Sequence, residues 1–286
     1  MRAIHCNPSR RNLDLIPVAL PQLAVARVSG ADAGAFLQAQ LSADVAALPD
    51  GGATFACYCS PRGQVYGLLL VCRLGDEFRL AANRALLPVM LKRLGLFVLR
   101  ARVELELADG VAVQGCPADP RAQASDGGFQ PANLGLIYHL VTRTPGMVED
   151  SGHWKEQELL KLVVWLDPAT SERFIPQMLG LDSIGAVSFS KGCYPGQEII
   201  ARARYLGKVK RQPLLLKLFG APRPASGEPL RLRDGARWLD GTVVDSVAVP
   251  GETSAETVTV FAVAPVPEGS VDAATYAGRD YRCATI

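Results

Sequence analysis

Between Pro213 and Ile286 the chain shows no helical period, and this limits the fold more than any other feature of the sequence. The apolar residues there fall in short alternating runs, at 214–219, 229–232, 241–249 and 257–264. Breakers divide them: Gly220-Ala221-Pro222, Asp234-Gly235, Pro250-Gly251 and Pro267-Glu268-Gly269. Alternation gives each run one inward face, and several such runs with turn signals between them predict a small all-β unit, barrel-like, over 213–286. Residues 207–213 read as the hinge that joins it to the rest.

The chain before the hinge mixes both periods. Residues 23–28 read as a strand, and 29–40 as a helix with Phe36 and Leu37 inward. Runs 53–60, 64–73 and 78–82 read as an antiparallel meander, turning at Ser60-Pro61-Arg62-Gly63 and Leu74-Gly75-Asp76-Glu77. Asn83 is placed to cap a helix over 84–94. Residues 97–107 alternate and predict a half-buried strand, with two more at 111–114 and 136–142. The polar stretch 117–131 reads as a surface loop, and 154–165 as a helix with Leu159, Leu162 and Val163 apolar. Mixed elements followed by a separate β unit make an α+β architecture.

At 286 residues, 49% hydrophobic and 20% charged, the composition is that of a globular protein. The longest clean apolar run, 67–72, is strand-sized, and the first residues carry no apolar signal core, so neither a membrane span nor secretion is expected. A net charge of +2 does not by itself mark a nucleic-acid binder. The seven cysteines are odd in number and irregular in spacing, which reads as reduced thiols in the cytoplasm. No Cys/His cluster has zinc spacing, and Cys57 and Cys59 on one strand face read as core beside Phe55.

The chemistry concentrates in Lys191-Gly192-Cys193-Tyr194-Pro195-Gly196-Gln197-Glu198. Pro195-Gly196 is a turn signal, and 197–206 reads as a short helix with Ile199, Ala203 and Leu206 on one face and Gly207 as its stop. The turn brings Cys193 and Glu198 to a helix start, where backbone N–H groups are free. A thiol there, close to Lys191, is favoured as thiolate; the bland alternative is a small buried apolar residue. Lys191 is placed to pair with an anion or to activate Cys193, or is simply solvated. Gln197 and Glu198 suit a heterocycle, because a carboxylate accepts two parallel N–H bonds; equally, a first-turn Glu stabilises a helix by roughly 0.3–1 kcal/mol with no ligand. Arg202, Arg204, Lys208, Lys210 and Arg211 follow without an acid, fit to hold an anionic tail or a phosphate backbone, or to form a solvated face. Only Tyr205 is interleaved among them, so a nucleic-acid groove is weakly supported.

This eight-residue run, with Ala201-Arg202, Gly207-Lys208 and the lead-in Phe174-Ile175-Pro176-Gln177-Met178 and Ser188-Phe189-Ser190, resembles the folate-binding proteins of the YgfZ type. Those are iron–sulfur cluster maintenance factors related in fold to the glycine-cleavage T-protein, an aminomethyltransferase. Weaker echoes lie in Leu41-Ser42-Ala43-Asp44-Val45 and Ser60-Pro61-Arg62-Gly63-Gln64. The resemblance implies two ferredoxin-like lobes and a C-terminal β-barrel around a central cavity. A folate-binding module over 1–210 would contain an inserted lobe at roughly 50–115. It also implies tetrahydrofolate as cofactor, iron–sulfur enzymes as clients and a link to tRNA modification. Cys193 and Lys191 would carry chemistry; Gln197, Glu198, Arg202, Asp44, Arg62, Gln64 and Arg100 would line the folate site. No equivalent of the T-protein's catalytic aspartate is placed, which disfavours a conventional enzyme. A folate-dependent aminomethyl or one-carbon transferase, and an RNA- or protein-binding adaptor, stay open as alternatives.

Overall fold

The computed structural model describes residues 17–117, 128–131, 134–149, 152–207, 209–249 and 257–286. The readings made of Cys6, of most of the 117–131 loop, of Lys208 and of the Pro250-Gly251 turn lie outside those residues.

Strand β1 (Val18–Ala19) is followed by β2 (Leu23–Ser29), α1 (Ala33–Gln40), β3 (Ala53–Cys59), β4 (Val65–Leu74), β5 (Glu77–Asn83), α2 (Leu87–Gly95) and β6 (Glu104–Leu107). Next come β7 (Val111–Pro117) and β8 (Leu136–Thr142). Strands β2 to β6 make one antiparallel sheet in the order β3-β4-β5-β2-β6. A second sheet has the order β1-β7-β8, so the five-stranded unit interrupts the smaller one in sequence. The first eight residues of β4 are all buried, as an unbroken apolar run demands when both faces of a strand are covered. Helix α2 buries Leu87, Met90, Leu91 and Leu94. It settles on β4 at Gly67, where a Cβ would stand 2.9 Å from the Met90 sulfur.

Helix α3 (His153–Leu160), a 3-10 turn at Pro176–Leu179 and helix α4 (Gln197–Tyr205) lead to the barrel. Its strands are β9 (Arg211–Phe219), β10 (Pro229–Asp234), β11 (Arg237–Val249), β12 (Thr257–Pro265), β13 (Val271–Tyr276) and β14 (Arg279–Thr285). They close in the order β10-β11-β12-β9-β14-β13, with β13 returning to β10. Leu216, Leu218, Leu232 and Val260 fill the barrel interior. Val244, Val247, Phe261 and Val263 belong instead to the main core, so β11 and β12 are apolar on both faces and join the barrel to the lobes. Helix α3 adds polar ties: Lys155 pairs with Asp245 of β11, and Glu156 accepts a bond of 2.7 Å from Thr259 of β12. The α+β class is as expected, two sheet-bearing lobes with a closed C-terminal barrel. Among the described residues no helix is long and apolar enough to cross a membrane.

Several local readings need correction. The helix expected over 154–165 ends at Leu160, and Leu162 takes a left-handed φ of 60°. Val163, Val164, Trp165 and Leu166 then run on irregularly, all four buried, a consecutive burial that no amphipathic helix allows. The strand expected over 97–107 is confined to Glu104–Leu107, because the chain turns repeatedly before it. Helix α2 starts at Leu87; Asn83 accepts a 2.9 Å bond from the Ala85 N–H in the turn that precedes it.

Candidate functional site

Two turns meet back to back. Ser60 to Gln64 joins β3 to β4, closed by Gly63 N–H to Ser60 O at 2.8 Å and Ser60 N–H to Gln64 O at 2.8 Å. Gly196, with φ at 83°, begins α4 and rests on that turn. A Cβ on Gly196 would lie 2.4 Å from Ser60 O and 2.7 Å from Gly63 Cα. Only glycine fits, both for its backbone angle and for the approach of two main chains. The sequence marks both turns but not their contact.

The loop before Gly196 is held from below. Ser42, fully buried, donates to Ala186 O at 2.5 Å and accepts from Cys57 N–H at 2.8 Å, while Ser188 N–H donates to Ser42 O at 2.8 Å. Lys191 then reaches back to the end of α1. Its Nζ donates to Gln38 O, Leu41 O and Ala43 O at 2.5, 2.7 and 2.9 Å. Three donors meet three acceptors, and the cation sits where helix carbonyls are unpaired. Lys191 is 9% exposed, and burial pulls its pKa down to about 8, with Asp44 opposing. So Lys191 is neither solvated nor directed at Cys193: its hydrogens all go to main-chain carbonyls of the 38–43 segment.

Asp44 supports this clamp. Its Oδ1 accepts from Gln38 Nε2 at 3.0 Å and Ala47 N–H at 3.3 Å, and Gln38 Oε1 accepts from Val45 N–H at 2.8 Å. Tyr194 is buried beneath the loop beside the Lys191 ammonium, and its hydroxyl has no hydrogen-bond partner among the described residues. Burial raises its pKa, with Cys59 and Cys57 adding to the shift.

Above this base the reactive groups face outward. Of the six described cysteines, Cys57, Cys59, Cys72 and Cys283 are buried, Cys116 is half-buried and Cys193 is exposed. A Cβ on neighbouring Gly192 would meet nothing within 4 Å, so the space beside Cys193 is open. Glu198 is exposed in the first turn of α4, and Gln197 Nε2 makes a long 3.5 Å contact to Lys191 O. Arg62 is exposed and Gln64 half-buried on the abutting turn, and Arg202 is exposed on the next turn of α4. Cys193, Gln197, Glu198, Arg62 and Gln64 therefore lie on or beside two turns that abut at Gly196 and Gly63. Arg100 does not join them: it lies four residues before Glu104, which pairs with Ser29 at the opposite end of the five-stranded sheet. The helix face is also corrected. Ile200 is fully buried, whereas Ile199 and Leu206 are 44% and 83% exposed; the Gly63 turn touches both residues 199 and 200 but leaves Ile199 partly open.

Two shallow clefts lie among the described residues. One of about 380 Å³ is lined by Gln177, Asp182, Arg204, Arg211 and neighbours, at the C-terminal end of α4. That end is about 13 Å from the helix start. The second, about 240 Å³, involves Arg84 and Arg143.

A scan against protein-family models matches none. The chain is 28% identical to the tRNA-modifying protein YgfZ of several Escherichia coli strains, with 82% of each chain covered. It is 30% identical to an uncharacterized protein of Haemophilus influenzae, over 82% of this chain and 85% of that one. Among solved structures it is similar to the glycine-cleavage aminomethyltransferase T of Bartonella henselae. The TM-score is 0.65 at 15% identity, over 94% of this chain and 84% of the other, a likeness of fold. With the 191–198 loop and the lobes-plus-barrel architecture both in place, the chain belongs to the YgfZ family, related in fold to the glycine-cleavage T-protein.

Proposed function

We propose that this protein binds tetrahydrofolate and supports the assembly or repair of iron–sulfur clusters, and through them the modification of tRNA, in the cytoplasm. One observation carries the reading: the exposed cysteine is mounted on a loop whose base is fixed by Lys191 and Ser42. A thiol placed merely to fill a core would sit inward, as Cys57, Cys59 and Cys72 do. The relatives named for tRNA modification and the T-protein fold support the direction.

The residues present suit a folate. Glu198 has the acceptor pair that an amino-pyrimidinone edge requires, and Gln197 can add a donor and an acceptor. Arg62, Gln64 and Arg202 are the neighbours available to an anionic tail, whereas Asp44 is assigned to the Lys191 clamp and Arg100 is left out. Cys193 supplies a soft sulfur donor of the kind iron–sulfur clusters take, the cluster being cargo and not a resident group. Lys191 serves as a positioning residue.

Calorimetry with tetrahydrofolate on the wild type and Glu198→Ala tests the binding half. Complementation of a strain lacking its YgfZ relative by Cys193→Ala tests the thiol half. Folate affinity retained with complementation lost in Cys193→Ala is the expected pair of results. Turnover of a methylamine donor would move the protein to the transferases instead. The exposed Arg202, Arg204, Tyr205 and Leu206 at the end of α4 keep an RNA- or protein-adaptor reading in play. RNA binding with steep salt dependence, lost on neutralising Arg202 and Arg204, would favour it.

A further inference from the structure

We propose that the cleft walled by Arg84 and Arg143 is a second binding site, taking a small molecule with an oxyanion head, phosphate or carboxylate, on an apolar body. It is independent of the Cys193 loop and of the folate reading.

Both guanidiniums line one cleft of about 240 Å³. Each is fixed by two main-chain carbonyls. Arg84 donates from Nε to Pro21 O and from Nη2 to Leu23 O, both at 2.7 Å. Arg143 donates from Nε to Asp109 O and from Nη2 to Val111 O, both at 3.2 Å. Those bonds orient the two planes and leave Nη1 of each without a hydrogen-bond partner among the described residues. Neither arginine forms an ion pair among the described residues. Glu149 also lines the cleft but pairs with neither, and Asp109 is near enough to act on Arg84 without forming a salt bridge. Burial and then the charge on Arg143 lower the Arg84 pKa, with Asp109 opposing, so the Arg143 charge is felt at Arg84.

A role as structural staples accounts for the four carbonyl bonds. It does not account for two like charges sharing a cleft with their remaining donors unspent. Such a pair gains most from a shared anion, and an oriented guanidinium is suited to the paired oxygens of phosphate and carboxylate. The floor is apolar: Leu20, Leu23 and Val113 are at most 1% exposed, and Pro21 and Met147 stand beside them. An anion alone would leave that floor in water, so a head group with an apolar body fits better than free phosphate.

The test titrates the full-length protein at constant ionic strength in chloride with inorganic phosphate, phenyl phosphate and benzoate, followed by calorimetry. Phenyl phosphate or benzoate is expected to bind at least tenfold more tightly than inorganic phosphate. The tighter of the two identifies the head group. Arg143→Gln is expected to lose at least tenfold in that affinity, Arg143→Lys to fall between, and Arg237→Gln on the barrel to match the wild type. Near-UV circular dichroism confirms folding, and Arg84→Lys replaces Arg143→Gln if the latter does not fold. Equal affinity in wild type and Arg143→Gln, or no saturable binding of any probe over chloride, overturns the proposal.

Discussion

The protein buries two charges in two very different settings. Lys191 forms no ion pair among the described residues, yet its Nζ has three carbonyl oxygens within 2.9 Å. Glu158, on α3, is fully buried too. Its Oε1 accepts from Tyr138 at 2.8 Å and from Trp165 at 2.9 Å, while Oε2 has no hydrogen-bond partner among the described residues. Burial lifts the Glu158 pKa to about 7, against the pull of Lys155 and of the Trp165, Tyr138 and Trp154 donors. The difference is one of satisfaction. The lysine is fully paired and ties the loop above it to the end of α1; the carboxylate carries its clearest bonds on one oxygen and is held at the edge of protonation. One buried charge supports the proposed site, and the other sits in the aromatic core against Tyr138 and Trp165.

The largest expected effect comes from removing the paired charge. Lys191→Met leaves three buried carbonyls without their donor and should cost about 4 kcal/mol in urea unfolding. Lys191→Arg should not rescue it, since a planar fork cannot replace a point donor among three converging carbonyls. A loss under about 1 kcal/mol in Lys191→Met would mean the clamp is not what holds the loop. Gly196→Ala should follow at about 3 kcal/mol, from its backbone angle and the clash with Ser60 O.

The half-paired charge predicts a pH effect instead. A carboxyl whose pKa is raised on folding binds its proton more tightly in the native state. Between about pH 4.5 and 7 the native state therefore holds more protons than the unfolded one, and stability falls as pH rises through that window. The full span is about 3 kcal/mol. Glu158→Gln should remove this slope and unfold later than the wild type at pH 8, by up to about 2 kcal/mol once the lost attraction to Lys155 is set against it. A slope unchanged in Glu158→Gln would place the titration elsewhere. The smallest stability effects belong to the exposed groups: Glu198→Ala and Cys193→Ala should each shift unfolding by less than about 0.5 kcal/mol. Glu198→Ala should still weaken tetrahydrofolate binding at least tenfold.

The contrast between these charges also shows what a reader of the sequence could and could not see. Pro195-Gly196, Glu198 and the basic run mark a turn and a helix start, and the Pro- and Gly-divided runs after Pro213 mark a β unit, because each is a local signal. Leu41-Ser42-Ala43-Asp44 was visible as a motif, but its role was not. Its carbonyls bind a lysine about 150 positions away, and a main-chain acceptor has no letter of its own. Period alone cannot say which side of a short helix its neighbours cover, and here Ile200, not Ile199, is the residue they seal. Leu162 and Val163 carried a helical spacing into a segment buried on every side, where spacing no longer reports on conformation. Arg100 was placed by resemblance, and the register of β2 with β6 puts it at the far end of the sheet.

The account rests on an outward thiol carried by a fixed loop, and complementation by Cys193→Ala, run beside tetrahydrofolate calorimetry on the same variant, tests it most directly. The expected result is a folded protein that binds folate like the wild type and fails to restore growth. Full restoration by the variant would contradict the account.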